Sequence, residues 1–61
     1  MFKYRFPQSD MPGVISHIEA FGIQIISMVP DEDDFIMTTD AAIETTQLSH
    51  LTEAYNLSEV V

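Results

Sequence analysis

The stretch IQIISMVPDEDDFIMTT, residues 23–39, decides the fold of this chain. Residues 23–29 are rich in isoleucine and polar only at Gln24 and Ser27, which predicts a central strand. Pro30 and the acidic run that follows it are the strongest turn signal in the sequence. Residues 35–39 then predict a return strand. Together the three segments predict a β-hairpin with an acidic tip.

The residues before this hairpin predict one strand and one helix. Residues 2–6 alternate aromatic and basic side chains, a period of two that is typical of a strand, and the following proline ends it. Asp10 and Pro12 mark a helix start, with an acceptor side chain for the cap and a proline in the first turn. An apolar stripe at helical spacing, with Gly22 just beyond it, predicts a helix over residues 11–21. The stripe consists of Val14, Ile15, Ile18 and Phe21.

The residues after the hairpin predict a second helix with less regular spacing. Asp40 is the predicted N-cap of a helix that covers residues 41–55. Ile43 lies roughly 140° around such a helix from Leu48, where the regular apolar stripe begins. A kinked helix and two separate helical pieces are therefore both open alternatives.

The last residues complete an α+β fold. Asn56 predicts the end of the second helix, and residues 57–61 predict either a short last strand or a frayed tail. This order of elements is that of a compact ferredoxin-like βαββα(β) sandwich, in one domain that spans residues 1–61. In such a fold an antiparallel sheet carries two short helices on one face.

The alternation along each strand divides the side chains between the two faces of the sheet. The face under the helices is predicted to receive Phe2, Tyr4, Phe6, Ile23, Ile25, Phe35 and Met37. The open face is predicted to receive Lys3, Arg5, Ile26, Met28 and Ile36. Apolar side chains on an uncovered sheet indicate a contact surface. The alternative is that bent strands let these residues complete the core.

The composition excludes several classes of function. Ten acids against two bases give a formal net charge of −8, which excludes the usual nucleic-acid-binding protein and argues against adsorption to anionic membranes. The absence of cysteine excludes disulfides, thiolate metal sites and cysteine nucleophiles. The most apolar stretch, residues 20–29, is too short to span a membrane. We therefore expect a soluble, cytoplasmic protein.

No pattern in the sequence predicts catalysis, a cofactor or a metal site. Counted from Asp31, the sixth and twelfth positions of a calcium loop hold Ile36 and Ala42 instead of glycine and glutamate. The two histidines, His17 and His50, have unrelated spacings, so we expect surface or half-buried residues. The serines lack the context of a catalytic nucleophile. We expect no catalytic residue, no bound metal and no cofactor, and a chain this short is unlike an enzyme.

These exclusions favour a small acidic interaction protein that binds a protein with a basic surface, with inhibition of that protein and scaffolding as open alternatives. Negative charge steers such a partner, and nucleic-acid-handling proteins carry basic surfaces. An antitoxin-like neutraliser and a mimic of DNA phosphates both fit this description, as do the small inhibitors of phages and mobile elements. The acidic candidates for partner binding are Asp31, Glu32, Asp33, Asp34, Glu44 and Glu53. The apolar candidates are Ile26, Met28 and Ile36.

Other roles for these residues stay open at the level of the sequence. The acidic run is expected to be a solvated hairpin tip, with a protein-contact epitope as the alternative. The net charge also fits a domain whose acids only maintain solubility. An accessory subunit of a larger complex would bury the apolar candidates permanently.

Residues 10–25 resemble the opening of an ACT domain. Asp10-Met11-Pro12-Gly13 is similar to the D-x-P-G loop before the first helix of that family, and Gly22-Ile23-Gln24-Ile25 is similar to its G-I-N-I-like second strand. The helix is about one turn shorter than in the family, and Gln24 replaces the usual asparagine. The resemblance implies a ferredoxin-like fold and a regulatory homodimer that binds an amino acid near residues 10–13.

Overall fold

The computed structural model describes residues 1–60, which form four strands and two helices in the order β-α-β-β-α-β. Their bounds are β1 (Phe2–Pro7), α1 (Met11–Ala20), β2 (Ile25–Asp31), β3 (Asp34–Thr39), α2 (Thr45–Tyr55) and β4 (Ser58–Glu59). A 3-10 turn, Gln8–Asp10, joins β1 to α1. The α+β class is therefore as the sequence predicts, and both predicted helices are present.

The strands form one antiparallel sheet in the order β2-β3-β1-β4. The isoleucine-rich segment is therefore an edge strand, and its prediction as a central strand is wrong. The central strands are β1 and β3, which contribute the fully buried Tyr4, Phe6 and Met37. By contrast, Ile26 and Val29 of β2 are 50% and 55% exposed. Local hydrophobicity predicts a strand, but the order of the strands in the sheet decides which of them has a neighbouring strand on each side.

One hydrophobic core joins both helices to the central strands. Tyr4 pairs with Met37 across β1 and β3, so the two side chains lie on the same face of the sheet. Val14 and Ile18 of α1 and Leu51 of α2 are completely buried in the same cluster. Two further residues belong to this core: Ile43, in the loop between β3 and α2, and Leu57, between α2 and β4.

The strand register corrects the predicted position of Met28. Met28 lies directly opposite Met37, and residues directly opposite each other share a face of the sheet. Met28 is therefore half-buried against the core and does not lie on the open face. The prediction assumed unbroken alternation, but the pairing of β2 with β3 shifts between Ile25 and Ser27. Such an irregularity moves the side chains that come after it in the strand to the opposite face of the sheet.

The predicted hairpin is confirmed, with a tighter turn than the sequence suggests. Strand β2 continues through Pro30 to Asp31, and Glu32 and Asp33 alone form the turn. The missing N–H of Pro30 is tolerated because β2 is an edge strand. Glu32 has φ 57°, the left-handed sign that two-residue hairpin turns require at their first position.

The two ends of α1 differ in how well local rules predict them. Gly22 follows the helix with φ 77°, as a left-handed C-cap requires. Asp10 precedes the helix, but its side chain makes no capping hydrogen bond. The 3-10 turn leads directly into α1, because the N–H of Met11 already donates to the Gln8 carbonyl. The predicted role of Asp10 as a side-chain cap is therefore wrong.

Helix α2 begins four residues later than predicted from Asp40, which is not its N-cap. The N–H of Gln24 donates to Asp40 Oδ1, and the N–H of Asp40 donates to the Gln24 carbonyl, both at 3.1 Å. The N–H of Ile43 donates to the buried Tyr4 hydroxyl at 3.0 Å. These bonds hold residues 40–44 as a loop, which explains why Ile43 lies off the helical stripe.

The end of the chain forms the short last strand. Asn56 ends α2 with φ 54° as predicted, and β4 pairs with β1 at Tyr4 and Arg5. Val61, the last residue of the predicted segment, lies outside the described residues.

Candidate interaction surface

The hairpin tip is organised by one of the chain's two fixed cations. Arg5 of β1 lies opposite Ile36, two residues beyond Asp34 and therefore on the same face of the sheet. Its guanidinium donates to Asp31 Oδ2 at 2.7 Å and to Asp34 Oδ2 at 3.1 Å. These hydrogen bonds, the one to Asp31 foremost, raise the pKa of Arg5. Within residues 1–60, the other two acids of the tip, Glu32 and Asp33 in the turn, form no ion pair.

Gln8 anchors the backbone of the tip. Its N–H donates to the Asp33 carbonyl at 3.0 Å, and its side-chain amide donates to the carbonyls of Glu32 and Asp34 at 3.2 and 3.1 Å. The hydrogen bonds from Gln8 therefore hold the backbone that carries the carboxylates of the tip. No pattern in the sequence indicates this role for Gln8, because its partners lie more than twenty residues away.

The acidic candidates Glu44 and Glu53 are exposed, and Glu44 does not join the tip in one cluster. Glu44 immediately precedes α2, and Glu53 lies in its second half. The last residue of the helix, Tyr55, lies against Gly13 at the start of α1, near the tip end of the sheet. Since α2 is about 16 Å long, Glu44 lies at the opposite end of the domain. The structure thus separates Glu44 from the tip.

Most of the acids are free of cations. The ion pairs of residues 1–60 involve Asp31 and Asp34 alone, which leaves eight of the ten acids without one. Among the predicted acidic residues, Asp34 is half-buried and the other five are exposed. The domain therefore presents negative charge at both ends.

The apolar candidates separate in the structure. Ile36 is half-buried on the open face, where Val29 of β2 lies beside it, and we call these two residues the open-face patch. Ile26 is 50% exposed at the irregularity in β2, whereas Met28 lies on the core side. The sequence alone does not place Val29 on this face, because its position depends on the register of β2 against β3.

The contact between the helices brings together two histidines that the sequence does not connect. The ring centres of His17 and His50 are 6.0 Å apart, and those of His17 and Tyr55 are 5.4 Å apart. Phe21 completes the cluster at 6.2 Å from His17. Gly13 permits this approach, because a Cβ there would lie 2.7 Å from the Tyr55 ring. His17 is half-buried and His50 is exposed, as expected.

No three histidine, aspartate or glutamate side chains of residues 1–60 converge as a full metal site requires. Over the same residues the surface has no pocket. Neither described helix is long and apolar enough to cross a membrane.

In comparisons with known proteins, no family model, no curated protein and no solved structure matches this chain.

Proposed function

We propose that this chain is a small, non-enzymatic interaction protein that binds the basic surface of another protein and blocks that surface. The observation that carries the proposal is the set of eight acids without an ion pair within residues 1–60. Lys3 and Arg5 are the only lysine and arginine residues of the chain, so most of its acids cannot be neutralised internally and their charge remains available to a partner. Unpaired, exposed acids steer a cationic partner and raise its association rate.

The proposal also includes a ferredoxin-like topology for the sheet and the helices. The element order β1-α1-β2-β3-α2-β4 and the sheet order β2-β3-β1-β4 support a ferredoxin-like sandwich with both helices on one face. In this arrangement the open-face patch has no covering layer. Acids at both ends of the domain and an apolar patch on the sheet then give the two parts of an interface, a charged rim and an apolar anchor.

The first experiment identifies the partner and tests the electrostatic basis of binding. The chain is immobilised, partners are captured from the native host, and their association is measured at several salt concentrations. Exposed charges are screened beyond about 8–10 Å at physiological salt. We expect the association rate to fall steeply with salt. An association rate that does not depend on salt would refute the proposal.

Matched charge variants then locate the recognising acids. Glu44→Gln with Glu53→Gln removes two charges of the predicted partner-binding acids, and Glu19→Gln with Glu59→Gln removes two exposed charges that are not among them. We expect the first pair to slow association and to flatten its salt dependence more than the second pair. Equal effects would show that net charge alone attracts the partner.

The apolar anchor is tested by the dissociation rate, since desolvated contacts near the centre of an interface contribute most of the affinity. Ile36→Ala and Val29→Ala should accelerate dissociation and leave association nearly unchanged. Met28→Ala is the matched control, because Met28 lies against the core. A larger increase of the dissociation rate for Met28→Ala than for Ile36→Ala would show that the open-face patch is not part of the interface.

An ACT-like regulatory homodimer is the second candidate, and the strand order supports it because the family resemblance implies the same topology. Against it, Gly13 is covered by the Tyr55 ring and has a packing role. A panel of free amino acids in a thermal-unfolding assay tests this candidate, since a bound ligand raises Tm by mass action. Sedimentation at micromolar concentration tests the homodimer.

A further inference from the structure

The contact between α1 and α2 places the chain's two imidazoles side by side. The ring centres of His17 and His50 are 6.0 Å apart, although the residues belong to different helices. His50 is exposed and His17 is half-buried, so an ion from solvent can reach the pair. The acidic interaction surface does not use either residue.

The hydrogen bonding of His17 leaves one ring nitrogen available as a ligand. Its Nδ1 lies 2.9 Å from the Gly13 carbonyl oxygen. A carbonyl oxygen can only accept, so Nδ1 carries the proton in this bond and Nε2 keeps its lone pair. Metal-binding histidines commonly show this arrangement, in which the second ring nitrogen donates to a backbone carbonyl and orients the ring.

The spacing of the rings fits one shared ion. A transition-metal ion lies about 2.0–2.1 Å from an imidazole nitrogen and hence about 3.2 Å from the ring centre. Two imidazoles that share an ion therefore have ring centres no more than about 6.4 Å apart. The observed 6.0 Å is within this limit, so the separation of the two rings allows them to share an ion.

From this geometry we propose that His17 and His50 together bind a late first-row transition-metal ion, with Cu²⁺ bound most tightly. Imidazole is a preferred ligand of copper, nickel and zinc, and Cu²⁺ forms the strongest complexes of the divalent series. Calcium and magnesium prefer oxygen ligands and are not selected. The net charge of −8 increases the local concentration of any cation.

The ion would bridge α1 and α2. No third histidine, aspartate or glutamate converges on the pair within residues 1–60, so water fills the remaining positions. The site is therefore open and exchangeable, and it links two helices that also pack through Gly13 and Tyr55 and share the hydrophobic core. Binding of the ion to the folded state alone raises Tm.

The test uses the full chain and Cu²⁺ alone. Electron paramagnetic resonance should show two nitrogen ligands, and calorimetry should show one ion per chain. His50→Gln is the primary variant, because His50 is exposed and its replacement leaves the core intact. We expect this variant to show one fewer nitrogen ligand and an affinity lower by about tenfold or more. His17→Gln should weaken binding to a similar extent.

A charge control separates this site from binding by carboxylates. Glu32→Gln with Asp33→Asn removes the unpaired acids of the hairpin tip and leaves both histidines in place. We expect Cu²⁺ binding and its nitrogen signals to persist in this control. A wild-type spectrum without two nitrogen ligands would overturn the proposal. So would an affinity that falls in the tip control but not in His50→Gln.

Discussion

Replacement of Gly13 by alanine tests the close packing of the two helices. A Cβ at this position would lie 2.7 Å from Cε1 and 2.8 Å from Cζ and Oη of Tyr55. The shortest of these distances is at least 0.7 Å less than an ordinary contact of 3.4 Å. The Tyr55 ring is half-buried and packs edge-on against His17, which restricts its retreat.

Two opposing terms set the expected change in the free energy of unfolding. Overpacking of this kind costs about 1–3 kcal/mol. Alanine in place of glycine favours a helix by about 0.5–1 kcal/mol. We therefore expect Gly13→Ala to destabilise the wild type and to stabilise a Tyr55→Ala background, in which the clash is absent. The difference between the two backgrounds measures the clash and should be about 1–3 kcal/mol.

The assay is thermal and urea unfolding followed by far-UV circular dichroism, in which 1 kcal/mol corresponds to about 4–8 °C in Tm for a domain of this size. Ser16→Ala is the control, because Ser16 is an exposed residue of α1 and reports helix propensity without a clash. Equal effects of Gly13→Ala in the two backgrounds would refute the argument. Stabilisation of the wild type by Gly13→Ala would refute it as well.

Three further substitutions test single contacts of the fold. Tyr4→Phe leaves the buried N–H of Ile43 without an acceptor, which should cost about 1–3 kcal/mol of unfolding free energy and expose that amide to hydrogen exchange. Glu32→Gly should raise the unfolding free energy by about 1 kcal/mol, because glycine adopts the left-handed φ of 57° without strain; an unchanged urea midpoint would contradict this. Arg5→Gln should lower Tm in dilute buffer and have less effect at high salt, because it leaves two aspartates of the tip without their cation; an effect independent of salt would show that Arg5 acts through packing.

The sequence alone determines the features that depend on neighbouring residues. The stripe of α1, the left-handed Gly22 and Asn56 at the helix ends, and the hairpin follow from local periodicity and backbone sterics. The same local information predicts an exposed acidic tip. These features agree with the structure because each depends only on residues that lie within about one or two helical turns of one another in the sequence.

Only the tertiary structure decides the features that depend on distant partners. The sheet order places the isoleucine-rich β2 at an edge, and its register puts Met28 on the core side. Asp40 has the chemistry of a helix cap, yet its hydrogen bonds with Gln24 delay the start of α2. Likewise, only the antiparallel packing of the helices brings His17 to His50. A side chain's local preference is worth about 1 kcal/mol or less, so burial and hydrogen bonds formed across the whole chain override it.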